Sequence, residues 1–178
     1  MLRLAIVLAT VLATPVAAAP SDQISPAILA LKAGIICAPQ VIGTNPAPDT
    51  VAGVTNVIEG DPQFISNGRQ VPAVRGIGFG IKAQAADRRG LSDVIVTVSH
   101  PPMGDAGITR QSYTAAISGD RLSMAMYQFD FDYELVQGPW TIEVSQGGEV
   151  LLRVGFEVVA PQRVPQLASV CGFENLLS

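Results

Sequence analysis

The sequence predicts an all-β fold, a sandwich or a barrel, built from about seven short strands. Beyond residue 50, apolar and polar residues alternate with a period of two, which is typical of strands with one buried face. Turn residues interrupt this alternation at near-regular intervals, and helical periodicity is almost absent. Such a pattern favours packed or closed sheets over an α/β fold.

The strand pattern recurs along the second two thirds of the chain. The predicted strands are 54–58, 75–85, 93–99, 110–118, 123–135, 140–145 and 150–158. The third is expected to end at residues 100–102 (His-Pro-Pro), because proline lacks the N–H that a strand ladder needs. Residues 146–149 (Gln-Gly-Gly-Glu) predict the hairpin turn between the last two strands.

The segments outside these strands are expected to be less regular. Residues 38–53 and 60–74, which are rich in turn-forming residues, predict two long loops. Residues 25–37 are compatible with a short capped helix or with a first strand from Leu29 onward, and we favour the strand. Pro161 ends the last predicted strand, so the chain from about 161 forms a C-terminal tail.

The N-terminus has the anatomy of a secretory signal peptide. Arg3 supplies a positive start, residues 4–12 form a short apolar run, and residues 16–18 (Val-Ala-Ala) match a cleavage site. The run is shorter than the roughly 20 residues that span a bilayer. The sequence therefore predicts residues 1–18 as a signal peptide, residues 19–178 as a single domain, and a periplasmic or extracellular location.

Two cysteines, Cys37 and Cys171, lie towards the two ends of the mature chain. In an oxidising compartment, two such residues usually pair. We therefore predict a Cys37–Cys171 disulfide, which requires the C-terminal tail to fold back onto the start of the domain. Two buried free thiols are the alternative interpretation.

The charge composition argues against nucleic acid as a partner. The chain has 11 basic and 15 acidic residues, and only Lys32 and Lys82 are lysines. An acidic, lysine-poor surface offers little attraction to phosphate backbones or anionic lipid. No segment after the signal peptide is long and apolar enough to span a membrane. The expected partner is an envelope protein or a glycan.

Several short motifs resemble those of a bacterial family. They are Arg75-Gly76-Ile77-Gly78-Phe79-Gly80, Val98-Ser99-His100-Pro101-Pro102, the run from Glu134 to Val144 with its Gly138-Pro139-Trp140, and Val154-Gly155-Phe156-Glu157-Val158. Across residues 29–160 they make the chain similar to domain-of-unknown-function family 3859. The resemblance implies an immunoglobulin-like β-sandwich, of about seven to nine strands. It implies no activity, ligand or catalytic residue.

Three glycines, Gly76, Gly78 and Gly80, suggest a phosphate-binding loop at first sight. They lack the third glycine of the dinucleotide fingerprint and lie inside a strand pattern, so no cofactor is expected there. The better interpretation is a strand with one bare face, against which a bulky residue such as Trp140 packs.

Three acidic residues, Asp130, Asp132 and Glu134, share one face of the predicted 123–135 strand. Alternate residues of a strand are about 6.6 Å apart, whereas calcium ligands converge to within about 2.5 Å of the ion. These residues are therefore expected to form a solvated acidic face.

His100 and Met103 are the weak candidates for a metal site, since they lie together at a strand end. Imidazole and thioether are ligands of copper(I), and Met124 and Met126 share a face of a later strand. Methionine on a strand is more often core filling, so periplasmic copper handling is the alternative rather than the leading interpretation.

A catalytic role has little support in the sequence. There is no nucleophile-elbow motif, and no carboxylate is flanked by enough apolar residues to indicate a raised pKa. A hydrolase with an unrecognised site is therefore a second alternative, and no catalytic residue is assigned. The leading interpretation is a non-enzymatic binding module of the bacterial cell envelope, since sandwich domains commonly bind through loops or edge strands.

Overall fold

The structure, a computed structural model, describes residues 22–37 and 39–177. Its eleven strands are β1 (Gln23–Ile24), β2 (Ile28–Ile36), β3 (Val41–Pro46), β4 (Val54–Ile58), β5 (Gln70–Pro72), β6 (Gly78–Ala85), β7 (Leu91–Met103), β8 (Ile108–Ile117), β9 (Ser123–Gln128), β10 (Gly138–Gln146) and β11 (Glu149–Val159). Single helical turns lie at Asp132–Glu134, Pro161–Arg163, Pro165–Leu167, Ala168–Cys171 and Glu174–Leu176. The predicted signal peptide, residues 1–18, lies outside the described residues.

Two sheets form the predicted sandwich. The first has six strands in the order β1-β11-β10-β7-β8, with β5 added in parallel to β11. The second has three antiparallel strands in the order β2-β6-β9. Strands β3 and β4 form a separate two-stranded hairpin. Both sheets have open edges, so the fold is a sandwich and not a closed barrel.

The core lies between the two sheets, where the alternating apolar residues meet. Phe79 and Ile81 of β6 face Trp140 and Ile142 of β10, and each of these side chains is at most 1% exposed. The rings of Phe79 and Trp140 are 5.6 Å apart and perpendicular, an edge-to-face arrangement that aromatic quadrupoles favour. The period-two alternation therefore predicted the buried face of these strands correctly.

The glycine face of β6 is covered by a different residue from the one predicted. A Cβ on Gly78 would lie 2.7 Å from Met126 Cε, and one on Gly80 would lie 2.7 Å from Met126 Cα. Trp140 contacts the Phe79 face instead. The prediction that Trp140 packs on the bare glycine face is wrong, because the two faces of β6 point to opposite sides of the sheet.

Strands lie in three segments for which composition was ambiguous or misleading. The predicted loop 38–53 contains β3, and the predicted loop 60–74 contains β5. These strands depend on pairing with β4 and with the end of β11, respectively, rather than on an alternating pattern of their own. The favoured strand in residues 25–37 is confirmed as β2. The strand count consequently exceeds the predicted seven to nine.

Strand β7 continues through His100, Pro101 and Pro102, where it was expected to end. Its pairing with β10 does end at Ser99, and its register with β8 shifts between Ser99 and Met103. The prolines therefore lie in a bulge, where their missing N–H groups leave no partner unsatisfied.

The C-terminal tail folds back as predicted and is held by the Cys37–Cys171 disulfide, whose Cα atoms are 5.2 Å apart. Val164, Leu167 and Phe173 bury their side chains in the core cluster. The tail is thus an integral part of the domain. Within the described residues, no helix is long and apolar enough to cross a membrane.

Residues 59–69 cover part of the outer face of the three-stranded sheet. Lys82 of β6 points to this face, is 3% exposed and forms an ion pair with Asp61. The hydrogen bond from Lys82 lowers the pKa of the Asp61 carboxyl. Because this segment directly follows β4, the ion pair helps to hold the β3–β4 hairpin beside the sheet.

Candidate binding groove

A large groove separates the β3–β4 hairpin from the neighbouring edge strands β8 and β9. Its volume is about 1370 Å³, which exceeds the roughly 300–1,000 Å³ of most small-molecule pockets. The apolar part of its lining comes from all four strands: Val41, Val54, Ile58, Tyr113, Ala115, Met124 and Met126. The groove is therefore a long, partly apolar surface rather than a closed cavity.

The hairpin is fixed over the groove at its tip and along one side. At the tip, the Val51 N–H donates to Gln111 Oε1 over 2.8 Å, and the Ser112 N–H donates to the Asp49 carbonyl over 3.1 Å. At the side, Asn56 Nδ2 donates to Asp130 Oδ2 over 2.9 Å. These contacts leave a gap between the hairpin and β9, because they join the hairpin to β8 and to the segment after β9.

The floor of the groove is a chain of hydrogen-bonded polar side chains. Gln111 Nε2 donates to His100 Nε2 over 3.1 Å and approaches the Tyr127 hydroxyl at 3.4 Å. The Tyr127 hydroxyl donates to Glu134 Oε1 over 2.7 Å. Burial is the main cause that raises the pKa of Tyr127, so the phenol stays protonated and serves as a donor.

Glu134 anchors one end of this chain and is buried, with 5% of its surface exposed. Its Oε2 accepts the backbone N–H groups of Asp130 and Phe131, at 2.5 and 2.8 Å. The prediction of a solvated acidic face is therefore wrong for Glu134. Strand β9 ends at Gln128 and residues 132–134 form a helical turn, so the side chain rotates into the protein instead of alternating outward.

Burial raises the pKa of the Glu134 carboxyl, and the hydrogen bonds from Tyr127, Phe131 and Asp130 oppose this effect. From the flanking residues we expected no carboxylate with a raised pKa, and this expectation is wrong for Glu134. The burial that causes the shift comes from elements distant in sequence, which flanking residues do not reveal.

His100 lies at the other end of this hydrogen-bonded series and packs against Trp140, with ring centroids 4.7 Å apart and the ring planes tilted by 32°. Its Nδ1 faces the Pro101 carbonyl at 2.9 Å; since a carbonyl only accepts, Nδ1 carries the proton and Nε2 accepts from Gln111. Burial lowers the pKa of the imidazole, which favours the neutral ring. Both ring nitrogens therefore already have protein partners.

The proposed copper ligands do not converge on an open position. Met103 is buried, with its Sδ 3.9 Å from the Tyr127 hydroxyl, whereas Met124 and Met126 line the groove. Among the described residues, no group of three or more His, Cys, Asp or Glu side chains is arranged to hold a metal ion. His100 and Met103 act as packing and hydrogen-bonding residues beneath the groove.

The raised pKa of Glu134 predicts a specific pH dependence of stability. A buried acid whose pKa is raised on folding stabilises the folded state at pH values below its ordinary pKa of 4.5. This stabilisation is lost as the pH rises through the folded-state pKa. We expect the difference between the two free energies of unfolding, that of Glu134→Gln minus that of the natural protein, to increase as the pH rises across this window. Urea unfolding between about pH 4 and pH 8 checks this; parallel curves for the two proteins would contradict it.

His100 changes the free energy of unfolding with pH in the opposite direction. Its pKa is lowered in the folded state, so the fold loses stability as the pH falls below the ordinary histidine pKa of 6.5. It is present in both proteins, so the difference between them isolates the carboxyl. Glutamine keeps an oxygen for the two backbone N–H groups and an amide that donates to the Tyr127 oxygen. The variant therefore removes the charge and preserves the network.

The rim of the groove is exposed and carries aromatic residues together with unmatched charges. Phe131 and Tyr133 stack with their centroids 5.3 Å apart and remain 48% and 38% exposed. Next to them, Asp130 accepts hydrogen bonds from the neutral amides of Asn56 and Gln128. At the far end of β9 lies the exposed Arg121, which belongs to no ion pair within residues 22–37 and 39–177.

The two sheets, their antiparallel pairing and the aromatic core define an immunoglobulin-like β-sandwich. The model of the family described as a domain of unknown function, DUF3859, matches residues 25–158, and the chain belongs to this family. The resemblance in the sequence motifs is thereby confirmed. The family description specifies no activity.

A solved structure supports the same fold. The crystal structure of an immunoglobulin-like protein from Pseudomonas aeruginosa is similar to this chain, with a TM-score of 0.51 and 17% sequence identity. The match covers 80% of this chain and 99% of that one. At this identity the likeness concerns the fold alone. No curated protein matches the sequence.

Most residues of the groove were absent from the sequence-based candidates. Strand β3 lies in the predicted loop 38–53, whereas β4 coincides with the predicted strand 54–58. Met124 and Met126 were noticed as sharing one strand face, and they do line the groove. Gln111 and Tyr127 carry no local signal, because their role depends on contacts between β7, β8 and β9.

Proposed function

We propose that this protein is a non-enzymatic binding module of the bacterial cell envelope and that the groove under the β3–β4 hairpin is its ligand site. The observation that carries the proposal is the contrast between floor and rim. The floor side chains His100, Gln111, Tyr127 and Glu134 satisfy one another, whereas the rim exposes apolar and charged groups. A surface of this kind favours binding over chemistry, since its ionisable floor groups serve as structural anchors.

The envelope location is supported by two features. Residues 1–18 have the composition of a signal peptide. The Cys37–Cys171 disulfide matches the oxidising environment that exported proteins meet. Export followed by cleavage after Ala18 gives a mature chain that begins at Ala19.

A pair of matched substitutions tests the groove as the ligand site. Thr55 of β4 lines the groove, whereas Thr44 lies on β3 of the same hairpin, outside the lining. We expect Thr55→Trp to fill the groove and weaken ligand binding at least about tenfold, which is about 1.4 kcal/mol. Thr44→Trp should leave binding unchanged.

The measurement is a set of backbone amide spectra of labelled protein titrated with envelope extract from the expressing bacterium. Signals of β4, β8 and β9 should shift with the natural protein and with Thr44→Trp, and should stay in place with Thr55→Trp. Shifts confined to another surface would contradict the groove assignment. The intact mass of the protein recovered from the envelope fraction checks the start at Ala19, and retention of Met1 would contradict export.

A further inference from the structure

We propose that the ligand of the groove is an extended polypeptide segment that adds to the free edge of β9 as an antiparallel strand, with a basic residue at the Asp130 end and an acidic residue at the Arg121 end. This inference rests on the proposed function of the groove and specifies the class of partner. Four observations on β9 and its surroundings support it.

The first observation is the direction of the backbone groups of β9. The Phe129 N–H donates to the Ile77 carbonyl over 3.0 Å, in register with the β6–β9 ladder. In an antiparallel pair, hydrogen-bonded and non-hydrogen-bonded positions alternate. Met124, Met126 and Gln128 therefore point their N–H and C=O groups away from β6, towards the open edge.

The second observation is that two other sheet edges, those of β2 and β8, already have backbone partners. The edge of β2 is paired by Ile65 and Ser66, which exchange hydrogen bonds with Ile35. The edge of β8 is capped where the Ser112 N–H meets the Asp49 carbonyl.

The edge of β9 has much less cover than these. Among the hydrogen bonds of the described residues, the outward backbone groups of β9 have one partner, the Tyr113 hydroxyl, which accepts from the Met126 N–H. Strand β9 also contains no charged residue and no proline, the usual protections of an exposed edge. This edge, which borders the groove, is therefore an available site for an added strand.

The third observation is the charge at the two ends of the edge. Arg121 and Asp130 lie nine residues apart, about 30 Å in an extended strand. Neither has a partner of opposite charge among the described ion pairs. Antiparallel pairing places the N-terminal end of a peptide near Asp130 and its C-terminal end near Arg121. A segment of about ten residues with complementary end charges matches this span.

The fourth observation is the chemistry beside the edge. Met124 and Met126 offer adaptable apolar contacts on one face of β9, and Tyr127 lies on the other face. The exposed Phe131–Tyr133 pair adjoins Asp130 and suits the aliphatic stem and cation of a lysine or arginine. A peptide in strand conformation fits these surroundings, because its side chains point alternately to the two faces and its backbone groups repeat at the same spacing as those of β9.

The test is calorimetric titration of the full mature protein with defined decapeptides. The probe is Lys-Val-Thr-Val-Thr-Val-Thr-Val-Thr-Glu, and its control is Glu-Val-Thr-Val-Thr-Val-Thr-Val-Thr-Lys, which has the same composition with the end charges exchanged. We expect the probe to bind at least about tenfold more tightly than the control, because only the probe matches Asp130 and Arg121 in an antiparallel register. Equal binding of the two peptides would overturn the charge assignment.

A protein variant tests the same end of the site. Arg121→Glu should weaken the probe at least about tenfold, and a peptide with lysine at both ends should restore the affinity. Arg163→Glu, which changes an exposed arginine of the C-terminal tail, is the matched control and should bind as the natural protein does. A similar loss in both variants would contradict the proposed position of the peptide.

Binding of N-methylated peptides tests the backbone pairing separately from the charges. N-methylation of the alternate residues that donate to β9 should abolish binding, whereas N-methylation of the intervening residues should preserve it. Insensitivity to both patterns would overturn strand addition. If envelope glycans shift the groove signals and peptides do not, this inference fails and the proposed function stands. If neither shifts them, both fail.

Discussion

Reduction of the Cys37–Cys171 disulfide is expected to lower the free energy of unfolding by up to about 5 kcal/mol. The bond joins residues separated by 134 positions, so it removes a large part of the conformational freedom of the unfolded chain. It also ties the tail, with the buried Leu167 and Phe173, to the end of β2. For a domain of this size, the loss corresponds to a fall in Tm of about 10–20 °C.

Thermal unfolding with and without a reductant measures this effect. The double variant Cys37→Ser with Cys171→Ser is the control: its Tm should resemble that of the reduced natural protein and should not respond to the reductant. An unchanged Tm of the natural protein after complete reduction, verified by thiol alkylation, would show that the bond does not stabilise the fold.

Truncation of Phe79 is expected to destabilise the domain by about 3–5 kcal/mol. The Phe79 ring is fully buried and lies within 6.1 Å, centroid to centroid, of four other aromatic rings: Tyr127, Phe129, Trp140 and Phe156. These rings come from both sheets, so Phe79→Ala opens a cavity at their junction. Such a cavity cannot close without moving a whole sheet.

Urea unfolding of three variants separates cavity formation from loss of an aromatic ring. Phe79→Leu keeps most of the volume and should cost less than half as much as Phe79→Ala. Phe131→Ala removes an exposed ring from the groove rim and should change stability by less than about 0.5 kcal/mol. Equal losses in the free energy of unfolding for Phe79→Ala and Phe131→Ala would contradict the position of Phe79 in the core between the two sheets.

The buried face of each long strand was predictable because it depends on local alternation alone. Phe79 and Ile81 on β6, and Trp140 and Ile142 on β10, follow the period of two and face the core. The turn at residues 146–149 was predictable for a similar reason, since Gly147 and Gly148 both adopt positive φ, at 57° and 87°. The disulfide was predicted from the presence of two cysteines in a chain that we expected to be exported.

The sequence by itself determined the all-β class, the faces of the long strands, the disulfide and the family resemblance, because each depends on neighbouring residues or on composition. Only the tertiary structure decided where β3 and β5 pair, that Glu134 turns inward, and that His100 and Gln111 meet Tyr127. These features depend on contacts between segments far apart in the chain, where the free energy of pairing and burial outweighs local preference. The groove belongs to this second group: it exists because the β3–β4 hairpin, of which only β4 was predicted as a strand, is held beside the open edge of β9.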